Sequence, residues 1–141
     1  MKKIWLILLF SINAAVLYAQ SQSSEKQISV MLKGFYTKYI TAVASSDNPH
    51  ISEKKLILLR NQYCTSHLLN QIPKLIEQTD SDPFLKAQDS DIAFLKTLSV
   101  KKDIKKSNVY TVSYFSSLQT KFVIYLKIVK DNEGFKIDSL W

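Results

Sequence analysis

VYTVSYF (Val109–Phe115) and FVIYLKIV (Phe122–Val129) are the stretches on which the fold turns. Both are rich in β-branched and aromatic residues, the composition that fits a pleated, half-buried surface. The second is the more apolar and is expected to be a central strand. Asp131-Asn132-Glu133-Gly134 follows it as a hairpin-type turn into a further strand, Phe135–Trp141. Upstream, Phe94, Leu98 and Val100 alternate with polar residues, so a first strand is expected from about Ile92. Turns are expected at Lys105-Lys106-Ser107-Asn108 and at Ser116-Ser117. Four consecutive strands at this spacing make an antiparallel meander.

The chain before Ile92 reads as helices joined by turns, with Thr79 to Pro83 a loop. Ile28, Leu32, Phe35, Tyr36, Tyr39, Ile40 and Val43 recur at helical spacing, with Ser24 as the expected cap and Gln27 at the capping-box position. Ser45-Ser46-Asp47-Asn48-Pro49 ends that helix. A second helix is expected from Ser52, carrying Leu56, Ile57, Leu59 and Tyr63. A third runs from about Thr65 to Gln78, with a kink or break at Pro73. Helices first and a meander after them give an α+β domain, with helices packed on one face of a curved four-stranded sheet. The shape is cone-like, of the cystatin or nuclear-transport-factor kind.

The N-terminus has the order of a secretory signal peptide. Lys2 and Lys3 precede the apolar run Ile4–Tyr18, and Ala19 offers a small residue at the cut. About 15 residues, two of them polar, is short for a membrane span, which needs about 20. The expected organisation is a signal peptide over 1–19 and one domain over 20–141, exported to the periplasm or beyond. Cys64 lies far from the cleavage point, so lipid attachment there is not expected, and a lone Cys leaves no internal disulfide.

The chain carries a formal charge of +7, or +5 once Lys2 and Lys3 are removed. Nearly all of the positive charge is lysine; Arg60 is the sole arginine. Nucleic-acid readers use the arginine fork for bidentate contacts, so nucleic acid is not an expected partner. Hydrophobic residues make up 46% of the chain and there are only 2 Gly and 3 Pro, which excludes a disordered segment.

Few residues suggest chemistry. Cys64 and His67 would share a face if helical, but zinc needs three or four ligands, and a nucleophilic thiol needs an oriented base and an oxyanion hole. A buried structural thiol is the expectation. Glu77, Asp80, Asp82, Asp89 and Asp91 form an acidic window, without the glycine and terminal glutamate of a calcium loop. Lys96, Lys101, Lys102, Lys105 and Lys106 form a basic window next to it. The opposed blocks read either as a docking strip for a charged partner or as a solvated loop and hairpin. The aromatic residues Tyr36, Tyr39, Tyr63, Phe84, Tyr110, Tyr114 and Tyr125 are the most suggestive feature. Amphipathic tyrosine suits the lining of a pocket inside a cone.

Tyr36 with Tyr39-Ile40, Tyr63-Cys64-Thr65 before Leu68-Leu69, Asp82-Pro83-Phe84 with Ala87-Gln88-Asp89, Tyr110–Tyr114 and Gly134–Asp138 occur in an order that resembles one bacterial family. It is the domain-of-unknown-function family numbered thirty-eight twenty-eight, made of small exported proteins and lipoproteins. The resemblance implies a fold similar to nuclear transport factor two. It implies no active site.

The functional expectation is a non-catalytic binding module of the bacterial envelope, including an inhibitor or immunity-type role. Its partner would be an envelope protein or a small ligand, and the module a monomer or homodimer without cofactor or metal. The expected binding residues are Tyr39, Tyr63, Tyr110 and Tyr114 of the cone and Lys101, Lys102, Lys105 and Lys106 of the basic window. The alternative is a small periplasmic hydrolase using carboxylates or tyrosine at the cone mouth.

Overall fold

A computed structural model describes residues 2–45, 49–87 and 90–141, with side chains from Gln22 onward except Pro49. Three helices, α1 (Lys2–Ala44), α2 (Pro49–Tyr63) and α3 (Ser66–Thr79), precede a short 3₁₀ helix (Ile92–Thr97). Strands β1 (Ser99–Lys102), β2 (Val109–Phe115), β3 (Lys121–Lys130) and β4 (Phe135–Leu140) then form one antiparallel sheet in the order β1-β2-β3-β4. The α+β meander is as the hydrophobic pattern requires, with the apolar β3 in the interior of the sheet and no closure into a barrel.

Four local expectations are corrected. The helix expected to begin at a Ser24 cap is continuous from Lys2, because no glycine or proline interrupts residues 2–33. The second helix begins at Pro49 rather than Ser52; proline suits a first turn, where its missing N–H has no intrahelical partner. Ser52 instead donates its hydroxyl to the Ala42 carbonyl at 3.0 Å, tying α2 to the end of α1. Pro73 does not divide α3, whose Leu68 and Ile72 are buried before it and whose Leu75 packs on the core after it. The segment from Ile92 is a 3₁₀ helix, not a strand. Asp91 caps it by accepting from the Ala93 N–H at 2.8 Å, and Phe94 drops into the core.

The apolar run Ile4–Tyr18 lies in the first part of α1, and its side chains fall outside those described. Among the described residues no helix is long and apolar enough to cross a membrane.

One face of the sheet is dry. Tyr110, Val112 and Tyr114 of β2, Ile124, Leu126 and Ile128 of β3 and Ile137 of β4 are buried against Leu32, Phe35, Tyr36, Tyr39 and Ile40 of α1 in a single core. The junction between α2 and α3 is fastened to β4. Cys64 forms a parallel bridge with Ile137, and the Thr65 N–H donates to the Ile137 carbonyl at 2.9 Å. Thr65 also caps α3, its hydroxyl accepting from the Leu68 N–H at 3.3 Å. The β3–β4 hairpin turns at Gly134, whose φ of 133° lies in the region that favours glycine. Asp131 Oδ1 accepts from the Glu133 and Gly134 N–H groups there.

Candidate functional site

Of the aromatic residues expected to line a pocket, Tyr36, Tyr39, Phe84, Tyr110 and Tyr114 form the core instead, while Tyr63 is half-buried and Tyr125 exposed. Tyr39, Tyr110 and Tyr114 are at most 1% exposed. Phe35 is the hub of one cluster, with ring centroids 5.1 Å from Tyr39, 5.3 Å from Tyr63 and 5.3 Å from Phe84. Phe94, Tyr114 and Phe122 make a second, stacked at 4.7 and 5.4 Å. The Tyr114 hydroxyl donates to the Leu85 carbonyl. Burial raises the Tyr114 phenol well above the ordinary tyrosine range, with help from the Asp82 charge. It pushes Tyr110 up to about 12, with a smaller contribution from Glu25. These tyrosines are neutral packing residues, and the cone mouth they were expected to line is filled. Tyr63 alone of the four is half-buried; its hydroxyl accepts from Lys38 Nζ at 3.1 Å.

The buried polar centre was not anticipated. Arg60, on the inward side of α2, donates to the Tyr39 hydroxyl from Nη2 at 2.6 Å and from Nε at 3.0 Å. Its Nη2 also reaches Asp82 Oδ2 at 3.2 Å, and the Tyr39 hydroxyl donates to that same oxygen at 2.7 Å. The other Asp82 oxygen accepts from the Phe84 and Leu85 N–H groups at 2.8 and 3.2 Å. Burial alone would lower the Arg60 pKa, but Tyr39, Asp82 and the more distant Glu53 together raise it. Both carboxylate oxygens of Asp82 are thus engaged, and the triad locks α1, α2 and the loop after α3 together. The signal available in the sequence was the single arginine in a lysine-rich chain: a planar, permanently charged fork is the cation that suits a buried site.

The acidic window is likewise dispersed. Asp80 is the left-handed cap of α3 (φ 49°), Asp82 points inward, and Asp91 caps the 3₁₀ helix. Asp89 lies outside the described residues. Cys64 and His67 are not on one helix face, since Cys64 sits between α2 and α3. Cys64 is buried, and its thiol is pushed up to about 12 by that burial. His67 contacts Gln71 at 3.2 Å. Among the described residues no group of three potential metal ligands occurs.

The basic window splits across the sheet edge. Lys102 pairs along the sheet with Tyr110, on the core side, and its ammonium bonds Glu25 of α1 at 3.1 Å. Lys101 points the other way. Lys105 and Lys106 occupy the β1–β2 turn, which Asp103 organises by accepting from their N–H groups at 2.7 and 2.9 Å. Lys106 Nζ stands 5.8 Å from the Trp141 ring centroid.

The face of the sheet to which Lys101 points is uncovered and carries lysines beside aromatic rings. Register places Lys101, Thr111 and Tyr125 in one row across β1, β2 and β3. Trp141 extends the row, exchanging backbone hydrogen bonds with Tyr125 at 3.0 and 3.1 Å, and the two rings stack at 6.0 Å and 15°. Ser99, Ser113 and Val123 form the next row, and Lys121 follows opposite Phe115, its ammonium 6.0 Å from that ring. A hollow of about 440 Å³ lies over these rows. Lys101, Lys105, Lys106 and Lys121 are exposed and have no carboxylate partner among the described residues.

The fold recurs in a crystal structure of a protein of unknown function from Bacteroides thetaiotaomicron. The two superpose with a TM-score of 0.81 and 27% identity over 92% of this chain and 98% of that one. No family model matches the chain. No curated protein matches it either.

Proposed function

We propose that this protein is an exported, non-catalytic binding module of the bacterial envelope, periplasmic or secreted, that holds an anionic partner on the outer face of its sheet. The observation that carries the reading is the row Lys101–Thr111–Tyr125–Trp141 with unpaired lysines around it. A sheet face left without a helix layer normally carries scattered polar residues. This one concentrates cations beside two stacked aromatic rings, which supports recognition through charge and ring contact together. The lysine-apolar-small order of residues 2–19 supports export. The interior supports the absence of chemistry in one respect: Arg60, Tyr39 and Asp82 satisfy one another and leave no carboxylate oxygen directed at a substrate.

Capture from the host's own envelope tests the reading. Immobilised wild-type protein retains a partner that raised salt releases. The variant combining Lys101→Glu, Lys106→Glu and Lys121→Glu folds normally and retains it poorly. Capture indifferent to both salt and reversal would remove the outer face as the site.

A further inference from the structure

We infer that the hollow over β1, β2 and β3 binds a carboxylated sugar chain, a uronic-acid type of oligosaccharide; this rests on the binding-module reading and names its ligand. Three features of the hollow select that class.

The first is its floor. Thr111 and Ser113 are half-buried there, and their hydroxyls make no hydrogen bond within the described protein. Val123 and the exposed Tyr125 ring lie beside them. Hydroxyl donors and acceptors next to an aromatic face match a pyranose ring, which has hydroxyls at its rim and C–H groups on its faces. The Tyr125 ring is braced by its stack on Trp141, which reduces the rotamer freedom lost when a sugar ring settles against it.

The second is the placement of charge. Lys101 and Lys121 stand at opposite ends of the hollow. Lys121 is four residues from Tyr125 along β3, about 13 Å, and Lys101 is two strands away, about 10 Å. Cations separated in this way suit carboxylates repeated along a chain better than one compact dianion. Neither lysine has a carboxylate partner among the described residues, so neither must break an ion pair to bind. One acid, Asp103, also lines the hollow; its Oδ1 is engaged by the turn backbone, and Lys101, Lys102 and Lys121 outnumber it there.

The third is what the hollow lacks. A protein partner would want an apolar centre, and lysine is depleted from such centres. Here lysines and hydroxyls surround the middle of the patch. Single-stranded nucleic acid would also use aromatic rings in a basic groove. However, this surface has no arginine, the side chain that forks onto phosphate and stacks on bases.

Calorimetric titration of the purified full chain with an oligogalacturonate tests the inference. The comparison ligands are its methyl ester, a polyglutamate peptide and oligo-dT. The oligogalacturonate binds and weakens with salt, and the neutral ester binds at least about tenfold more weakly. Tyr125→Ala and the pair Lys101→Gln with Lys121→Gln each weaken binding about tenfold, while Tyr125→Phe, which keeps the ring, retains it. Unchanged circular dichroism of the variants separates lost binding from lost fold. Polyglutamate binding as tightly as the oligogalacturonate, with no effect of Tyr125→Ala, would reduce the site to bare charge and overturn the sugar assignment. Tighter binding of oligo-dT would overturn it in favour of nucleic acid. No binding of any probe, together with envelope capture that still depends on Lys101, Lys106 and Lys121, would remove the sugar and leave the module. No binding together with charge-independent capture would remove both.

Discussion

The Arg60 guanidinium grips the Tyr39 hydroxyl with two of its nitrogens, at 2.6 and 3.0 Å, while that hydroxyl donates to Asp82 Oδ2 at 2.7 Å. The phenol is therefore a relay between a cation and an anion, each mostly screened from water. Burial raises its pKa far above the usual range, and the neighbouring Asp82 charge adds to this. The relation is one of stability, because every polar atom in it has a partner.

Breaking that relay at the cation is costly. Arg60→Met leaves Asp82 partly buried without its counterion and Tyr39 without a donor. We expect a loss of about 2–3 kcal/mol in urea unfolding. Tyr39→Phe removes one hydroxyl from the same network and is expected to cost about 1–2 kcal/mol. If both are near neutral, the triad does not hold the helices.

Tyr36 behaves oppositely. It is fully buried, yet its hydroxyl has no hydrogen-bond partner among the described residues. Tyr36→Phe removes an unsatisfied polar atom and keeps the ring, whose edge meets Phe35 at 5.3 Å. The expected change is zero to about 1 kcal/mol of added stability, read from the urea midpoint.

Cys64 is expected to be inert in the folded protein. Its thiol is buried and pushed up to about 12, so the thiolate is scarce at neutral pH. Labelling with a thiol reagent at pH 8 proceeds at the rate of unfolding and accelerates sharply in denaturant. Fast labelling without denaturant would show the site open.

Acid should weaken the attachment of α3 to β4. Asp138 accepts from Lys127 Nζ at 3.0 Å and from the Thr65 hydroxyl at 3.1 Å. Burial opposes its ionisation, but these two hydrogen bonds prevail and hold its pKa below the usual carboxylate value. A depressed folded pKa contributes stability that is present above the unfolded value, about 3.9, and is lost as pH falls through the folded one. Wild type should therefore exceed Asp138→Asn in stability at pH 7, and the gap should close as pH falls below about 4. A gap that persists to pH 2 would contradict this.

Export is expected to leave a mature protein beginning near Gln20, checked by intact mass of the envelope fraction. Retention of residues 1–19 there would contradict it.

Local pattern alone determined a good deal about this protein. The order of helices and strands, the interior position of β3, the Asp131–Gly134 turn and the choice of Leu32, Phe35, Tyr36, Tyr39 and Ile40 as one buried face all follow from periodicities of 3.6 and 2. Those rules act between neighbours, and they misled at the starts of α1 and α2, at Pro73, and where a short apolar run fitted two structures, as at Ile92–Thr97. What each polar residue faces was decided by tertiary structure. Arg60 meets a partner 21 positions away, Tyr39 one 43 away, and Lys102 one 77 away. Lys101 and Lys102, adjacent in the chain, are sent to opposite faces of the sheet by the pleat. The tyrosines looked like pocket lining because a tyrosine carries a polar tip. Whether that tip meets solvent, a carbonyl or a guanidinium depends on how the helices close over the sheet. The same closure leaves the other sheet face open and brings Tyr125 and Trp141 together through strand register, which no local rule specifies.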